Sequence, residues 1–156
     1  MPFSAIFTSP VAIASFIAWI LAQLLKAPIE LIRTKEWNWA RMLGPGGMPS
    51  SHSSLMTAVT ASIGYYHGFD NPLFILALSI SGIVIYDATG VRRQAGYHAQ
   101  RINMIIKEAF ERKVWPEQEL KELREVIGHS PGEALGGIIF GLAVSIIVWI
   151  IMPLGR

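Results

Sequence analysis

The chain has no cysteine, which excludes a disulfide framework and any thiolate metal site. It is also poor in charge: Asp, Glu, Lys and Arg make up 15% of its 156 residues, against 52% hydrophobic ones. Soluble domains carry about 25% charged residues. Together with a mean hydropathy of +0.43, this marks an integral membrane protein. The four histidines, His52, His67, His98 and His129, form no H-x-x-x-H or H-E-x-x-H pair, which argues against zinc. The formal charge is only +2, and the basic residues flank apolar runs, a pattern of membrane contact rather than nucleic-acid binding. The first 25 residues carry no charge at all. The basic n-region of a signal peptide is therefore missing, and the first apolar run is expected to stay as a span.

What is present is long apolar stretches. A helix needs about 20 apolar residues to cross a hydrocarbon core, and four candidates cover residues 11–32, 51–66, 72–91 and 131–152. The expected fold is an all-α bundle of about four transmembrane helices, one membrane-embedded domain over 1–156. The second span is short and carries Thr57, Thr60 and Ser62, which suits a helix packed inside the bundle. Gly132, Gly136, Gly137 and Gly141 in the last span predict close helix packing. The segment His67-Gly68-Phe69-Asp70-Asn71-Pro72 reads as a tight turn.

Between the third and fourth spans lies a polar insert, residues 92–128, with two expected amphipathic helices. In the first, Ile102, Ile105, Ile106, Ala109 and Phe110 share a face flanked by Arg101, Lys107 and Arg112, as in a helix lying on a membrane surface. The second is expected to start at Pro116, bury Leu120, Leu123 and Ile127, and stop at Gly128. An even number of spans puts segments 33–50 and 92–130 on one side. With Lys26, these hold twelve of the thirteen Lys and Arg residues. The positive-inside rule then predicts that side to be cytoplasmic and both termini outside, with Trp37 and Trp39 in the interfacial belt.

On that side the residues suited to chemistry collect. Pro49-Ser50-Ser51-His52 follows Gly46-Gly47-Met48 and opens an apolar helix. A helix start exposes unpaired N–H groups and carries about half a positive charge, so it attracts anions. Lys26 and Arg33 are two helical turns apart and share a face. They either snorkel to headgroups or bind phosphate. Pro28 between them should bend the helix, and Glu30 is the expected ion-pair partner of Lys26. Asp87 precedes Arg92 and Arg93, which read either as a membrane stop or as anion ligands with Asp87 as counter-ion. Ser130, Pro131 and Glu133 form a capping-box pattern. Glu133 can at the same time orient His129. His67, on the far side, has no expected role.

These motifs resemble the superfamily of type 2 phosphatidic acid phosphatases and vanadium haloperoxidases, whose patterns are K-x6-R-P, P-S-G-H and S-R-x5-H-x3-D. Lys26-x6-Arg33 is similar to the first, with Thr34 in place of proline. Pro49-Ser50-Ser51-His52 is similar to the second, with Ser51 in place of glycine. For the third, Arg92-x5-His98 has the literal spacing, but Ile102 follows where an acid belongs. His129-x3-Glu133 supplies histidine and acid ahead of a glycine-rich helix. With G-G-M-P-S-S-H and D-A-x-G-V-R-R, the whole resembles the divergent bacterial and plastid branch of that superfamily.

The resemblance implies a metal-free, cofactor-free phosphomonoesterase. His129, in preference to His98, would be the nucleophile that forms a phosphohistidine. Glu133 would orient it, and His52 would be the general acid and base. Lys26, Arg33, Ser50, Ser51, Arg92 and Arg93 would hold phosphate oxygens. The substrate would be a membrane lipid phosphomonoester such as phosphatidylglycerophosphate, met at the cytoplasmic face of a bacterial plasma membrane. The rival reading is a non-catalytic anionic-lipid-binding protein or a small transporter subunit. A homodimer is compatible with so small a bundle. No nucleic-acid partner is expected.

Overall fold

The computed structural model describes residues 3–39, 42, 44, 46–111 and 122–153. After a short 3-10 turn at Phe3–Phe7, α1 runs over Pro10–Thr34. It begins where Ser9 caps and Pro10 supplies a pre-set φ at N1. It continues through Pro28 and ends at Lys35, which adopts a left-handed φ of 63°. The next helices are α2 at Ser51–His67, α3 at Pro72–Thr89, α4 at Val91–Glu111 and α5 at Pro131–Ile151. No strand occurs among the described residues, and the protein is an all-helical integral membrane protein. Three segments are long and apolar enough to span: α1, the α3–α4 stretch and α5. The fourth expected span, α2, has 17 residues and lies at the centre of the bundle, packed on α1, α3 and α5.

That central place explains its composition. Ser53, Ser54, Ala58 and Ser62 of α2 are fully buried, and Ala14, Ala18 and Ala22 of α1 are likewise fully buried. Small side chains let helix backbones come close, which is what drives association when no water needs to be expelled. Gly137 and Gly141 of α5 show the same device: a Cβ at either would collide with the Ser50 or Ser54 carbonyl. Gly136 faces Met48, whereas Gly132 has open space beside it. Two of the four glycines, Gly137 and Gly141, therefore serve the expected close helix packing. At the far end the Tyr66 hydroxyl donates to the carbonyls of Val148 (3.2 Å) and Met152 (3.0 Å).

The insert departs from expectation. α3 and the first insert helix are separated by Gly90 alone, so the boundary falls at 89–91 and α4 continues nearly directly from α3. On α4, Ile102 is 43% and Ile105 66% exposed, so its apolar stripe faces away from the bundle. The second insert helix is not formed over residues 122–128, and its first part, including Pro116 and Leu120, lies outside the described residues. Leu123, expected to be buried, is 44% exposed. The reason is visible in the hydrogen bonds. The Asn103 side chain accepts from Leu123 N at 3.0 Å and donates to its carbonyl at 3.0 Å, giving the backbone partners that a helix would otherwise supply. Gly96 permits the close approach, since a Cβ there would strike the Glu125 carbonyl. Residues 122–128 thus form a strap laid along α4.

Candidate active site

The end of α1, the start of α2, the end of α3 and the start of α5 meet at one end of the bundle. Two backbone hydrogen bonds join them: Ser50 N donates to Glu133 O, and His129 N donates to Ala88 O, both at 3.0 Å. The first ties the start of α2 to the first turn of α5. The second ties the histidine ahead of α5 to the end of α3. Gly46 and Gly47, with φ of 78° and 85°, let the preceding loop turn back over α1 in a conformation costly for other residues. The Met48–Pro49 peptide is cis.

These elements surround a cavity of about 300 Å³ lined by Lys26, Ser51, His52, Asp87, Arg92 and His129, together with Gln23 and Arg124. The rings of His52 and His129 are 6.4 Å apart between centroids and tilted by 60°. His52 is exposed and His129 buried. Glu133 Oε2 lies 3.3 Å from His129 Nδ1 and accepts from Ser130 N at 3.0 Å. Ser130 Oγ in turn accepts from Glu133 N, so the capping box is complete. Both expected uses of Glu133 are therefore met by one carboxylate. Because a carboxylate only accepts, it assigns the proton to Nδ1 and leaves the Nε2 lone pair free.

Lys26 is 4% exposed, and its ammonium donates to Gly44 O at 3.3 Å. Asp87 Oδ2 accepts from Arg92 Nε at 2.6 Å. That contact holds the guanidinium over the cavity wall. Ser51 lines the cavity. Ser50 does not: its fully buried hydroxyl caps α2, accepting from Ser53 N at 3.3 Å and from Ser53 Oγ at 3.1 Å.

Three further residues of the motifs lie elsewhere. Arg33 lines a separate hollow on the other side of Gly46 and Gly47, which it shares with Glu30 and Glu133. Arg93 stacks over the Tyr97 ring, 5.5 Å from its centroid. His98 lines a surface hollow of α4 with Gln94 and Arg101, away from every other candidate. Conversely, two polar side chains of the cavity, Gln23 and Arg124, belong to none of the motifs. Gln23 Nε2 donates to Met42 O at 2.9 Å, while its Oε1 is buried with no hydrogen-bond partner among the described residues. Its place one turn before Lys26 was the available signal. Arg124 arrives on the strap, whose course no periodicity announces.

Comparison with known proteins shows the family. The chain is 35% identical over 144 residues to an uncharacterized membrane protein of Bacillus subtilis (strain 168), YuiD, covering 87% of this chain and 91% of that protein. No solved structure matches. The family described as "Divergent PAP2 family" matches residues 7–144, a stretch that takes in His52, His129, the cations near them and every helix from α1 up to the middle of α5, and it is to this family that the chain belongs.

Proposed function

We propose that the protein is a metal-independent lipid phosphomonoester phosphatase that works through a phosphohistidine. The observation that carries this reading is the pairing of His129, its Nδ1 facing a carboxylate, with His52 across a cavity edged by Lys26, Ser51 and Arg92.

The chemistry follows from those positions. His129 Nε2 attacks phosphorus, and the bond from phosphorus to the lipid oxygen breaks. His52, as an imidazolium, gives its proton to the departing alkoxide. Water then attacks the phosphohistidine, losing a proton to His52, and inorganic phosphate leaves. Splitting hydrolysis into two displacements lowers each barrier. Lys26, Arg92 and the N–H groups at the start of α2 stabilise the charge on the equatorial oxygens, which phosphoryl transfer needs most. Arg124 adds a cation at the mouth. Arg33 acts from behind Glu133 in this reading, and Ser50 acts by holding the helix start in place.

The positive-inside bias supports a site on the cytoplasmic side, where a lipid made in the inner leaflet, such as phosphatidylglycerophosphate, has access. The test is phosphate release from a panel of lipid monophosphates with EDTA present, combined with acid-labile radiolabel trapped on the protein. Release by wild type and by His98→Ala, with release and label both lost in His129→Ala, is the expected result. A folded wild type that releases no phosphate from any lipid would sink the reading in favour of a non-catalytic anionic-lipid-binding protein.

A further inference from the structure

The catalytic cavity accounts for one end of the bundle and leaves a second recess unexplained. Toward the opposite face, α2, α3 and α5 enclose an open groove of about 360 Å³. Its floor is α2 at Thr57 and Ala61; its walls are α3 at Leu78, Gly82 and Ile85, and α5 at Ile138. The groove exists because α3 packs chiefly on α2 and barely meets α5. Two of its hydroxyls, those of Thr60 and Ser81, are already engaged. Thr60 Oγ1 and Ser81 Oγ are 2.8 Å apart, and both reach the Met56 carbonyl. What they leave is a hydrocarbon surface within the membrane-spanning part of the bundle.

Two observations choose the occupant. The groove and the cavity share two helices, α2 and α3, with Val84 and Ala88 of α3 lining the cavity and Ile85 the groove. Thr57 lies about 7.5 Å along α2 from His52. The second observation is Gly82. A Cβ there would meet nothing within 4 Å, so packing does not require glycine. Its effect is to keep the groove wall open.

We propose that this groove holds one hydrocarbon chain of the same lipid whose phosphate occupies the cavity, an inference that rests on the phosphatase reading above. The phosphate anchors between His52 and His129, and the chain descends between α3 and α5 without leaving the hydrocarbon layer. A single extended chain suits the groove, which follows α3 for about 16 Å from Ile85 to Phe74.

The experiment uses the full chain in phosphatidylcholine nanodiscs and acylglycerol phosphates graded from hexanoyl to stearoyl. A palmitoyl analogue with a mid-chain diazirine reports position. Wild type is expected to show kcat/KM about tenfold higher for the palmitoyl than for the hexanoyl ester. Gly82→Leu flattens that dependence while hydrolysing the hexanoyl ester at the wild-type rate, and Gly82→Ala falls between. The diazirine labels α3 and α5 along the groove, and excess palmitoyl ester displaces it. Unchanged chain-length dependence in Gly82→Leu overturns the proposal and leaves the phosphatase reading standing. So does labelling by a matrix phosphatidylcholine probe that the phosphate ester fails to displace. Displaceable labelling without any phosphate release supports the groove and sinks the phosphatase reading. Should Gly82→Leu lose hexanoyl hydrolysis as well, displaceable labelling of wild type decides in the same way.

Discussion

The two flanks of α2 are built differently. Toward α5 the contact is closed: Gly137 and Gly141 meet the Ser50 and Ser54 carbonyls, Ser50 N bonds to Glu133 O, and Tyr66 seals the far end. Toward α3 the close polar contact is the cluster of Thr60, Ser81 and Met56 O, and beside it the groove stays open. The closed flank holds His52 and His129 in a fixed relation, which the proposed phosphatase chemistry would require of two groups acting on one phosphorus. In the proposed reading, the open flank admits a lipid chain without unpacking that relation. Precision and access are thus separated on opposite sides of a single helix.

Four predictions break or sharpen this contrast, from the largest effect to the smallest. Removing the chemistry of the closed flank should have the greatest consequence. His129→Ala should reduce phosphate release to background and abolish the trapped label, while His52→Ala should lower kcat by about 10²- to 10⁴-fold. Prying the same flank apart should act on stability. Gly137→Leu forces the Ser50 carbonyl away and should cost about 3 kcal/mol, read as a lower unfolding midpoint in detergent. A midpoint equal to wild type would mean that the flank is not closed as described.

The adjacent serines separate packing from binding. Ser50→Ala removes a helix cap and should cost about 1 kcal/mol of stability with little change in KM. Ser51→Ala should raise KM at unchanged stability; the reverse pattern would exchange their roles. The smallest effects belong to the strap and α4, outside both flanks. Arg124→Ala should raise KM by about tenfold, the loss of one charge-assisted hydrogen bond. Asn103→Ala, which frees the strap, should do so by less, and His98→Ala should change nothing in steady-state assays.

Much of the fold was legible in the residues. The ends of α1, α2 and α5 fall within two residues of the expected spans because Ser9, Pro10, Ser50, Ser130 and Pro131 are local start signals. The strap was not legible. Leu123 and Ile127 carry a helical spacing, but Asn103 and Gly96, some twenty to thirty residues away, compete for that backbone and win. The same limit applies to the site. Motif spacing names Arg33 and Arg93 as readily as Lys26 and Arg92, and the following acid alone favours His129 over His98, since spacing describes one helix at a time. Which of them share a cavity depends on how four helix ends are docked.

The sequence by itself determined that this is a helical membrane protein whose helix ends carry two histidines and a set of cations. Those properties follow from composition, periodicity and caps, which act over a few residues. Only the tertiary structure decided that His129 and not His98 faces His52, that Ser50 caps while Ser51 lines the cavity, and that Arg124 reaches the mouth. It also decided that a groove opens beside Gly82. Each of these turns on backbone contacts between distant segments, such as His129 N with Ala88 O and Ser50 N with Glu133 O. Such contacts are selected by the packing of the whole bundle and by no local pattern.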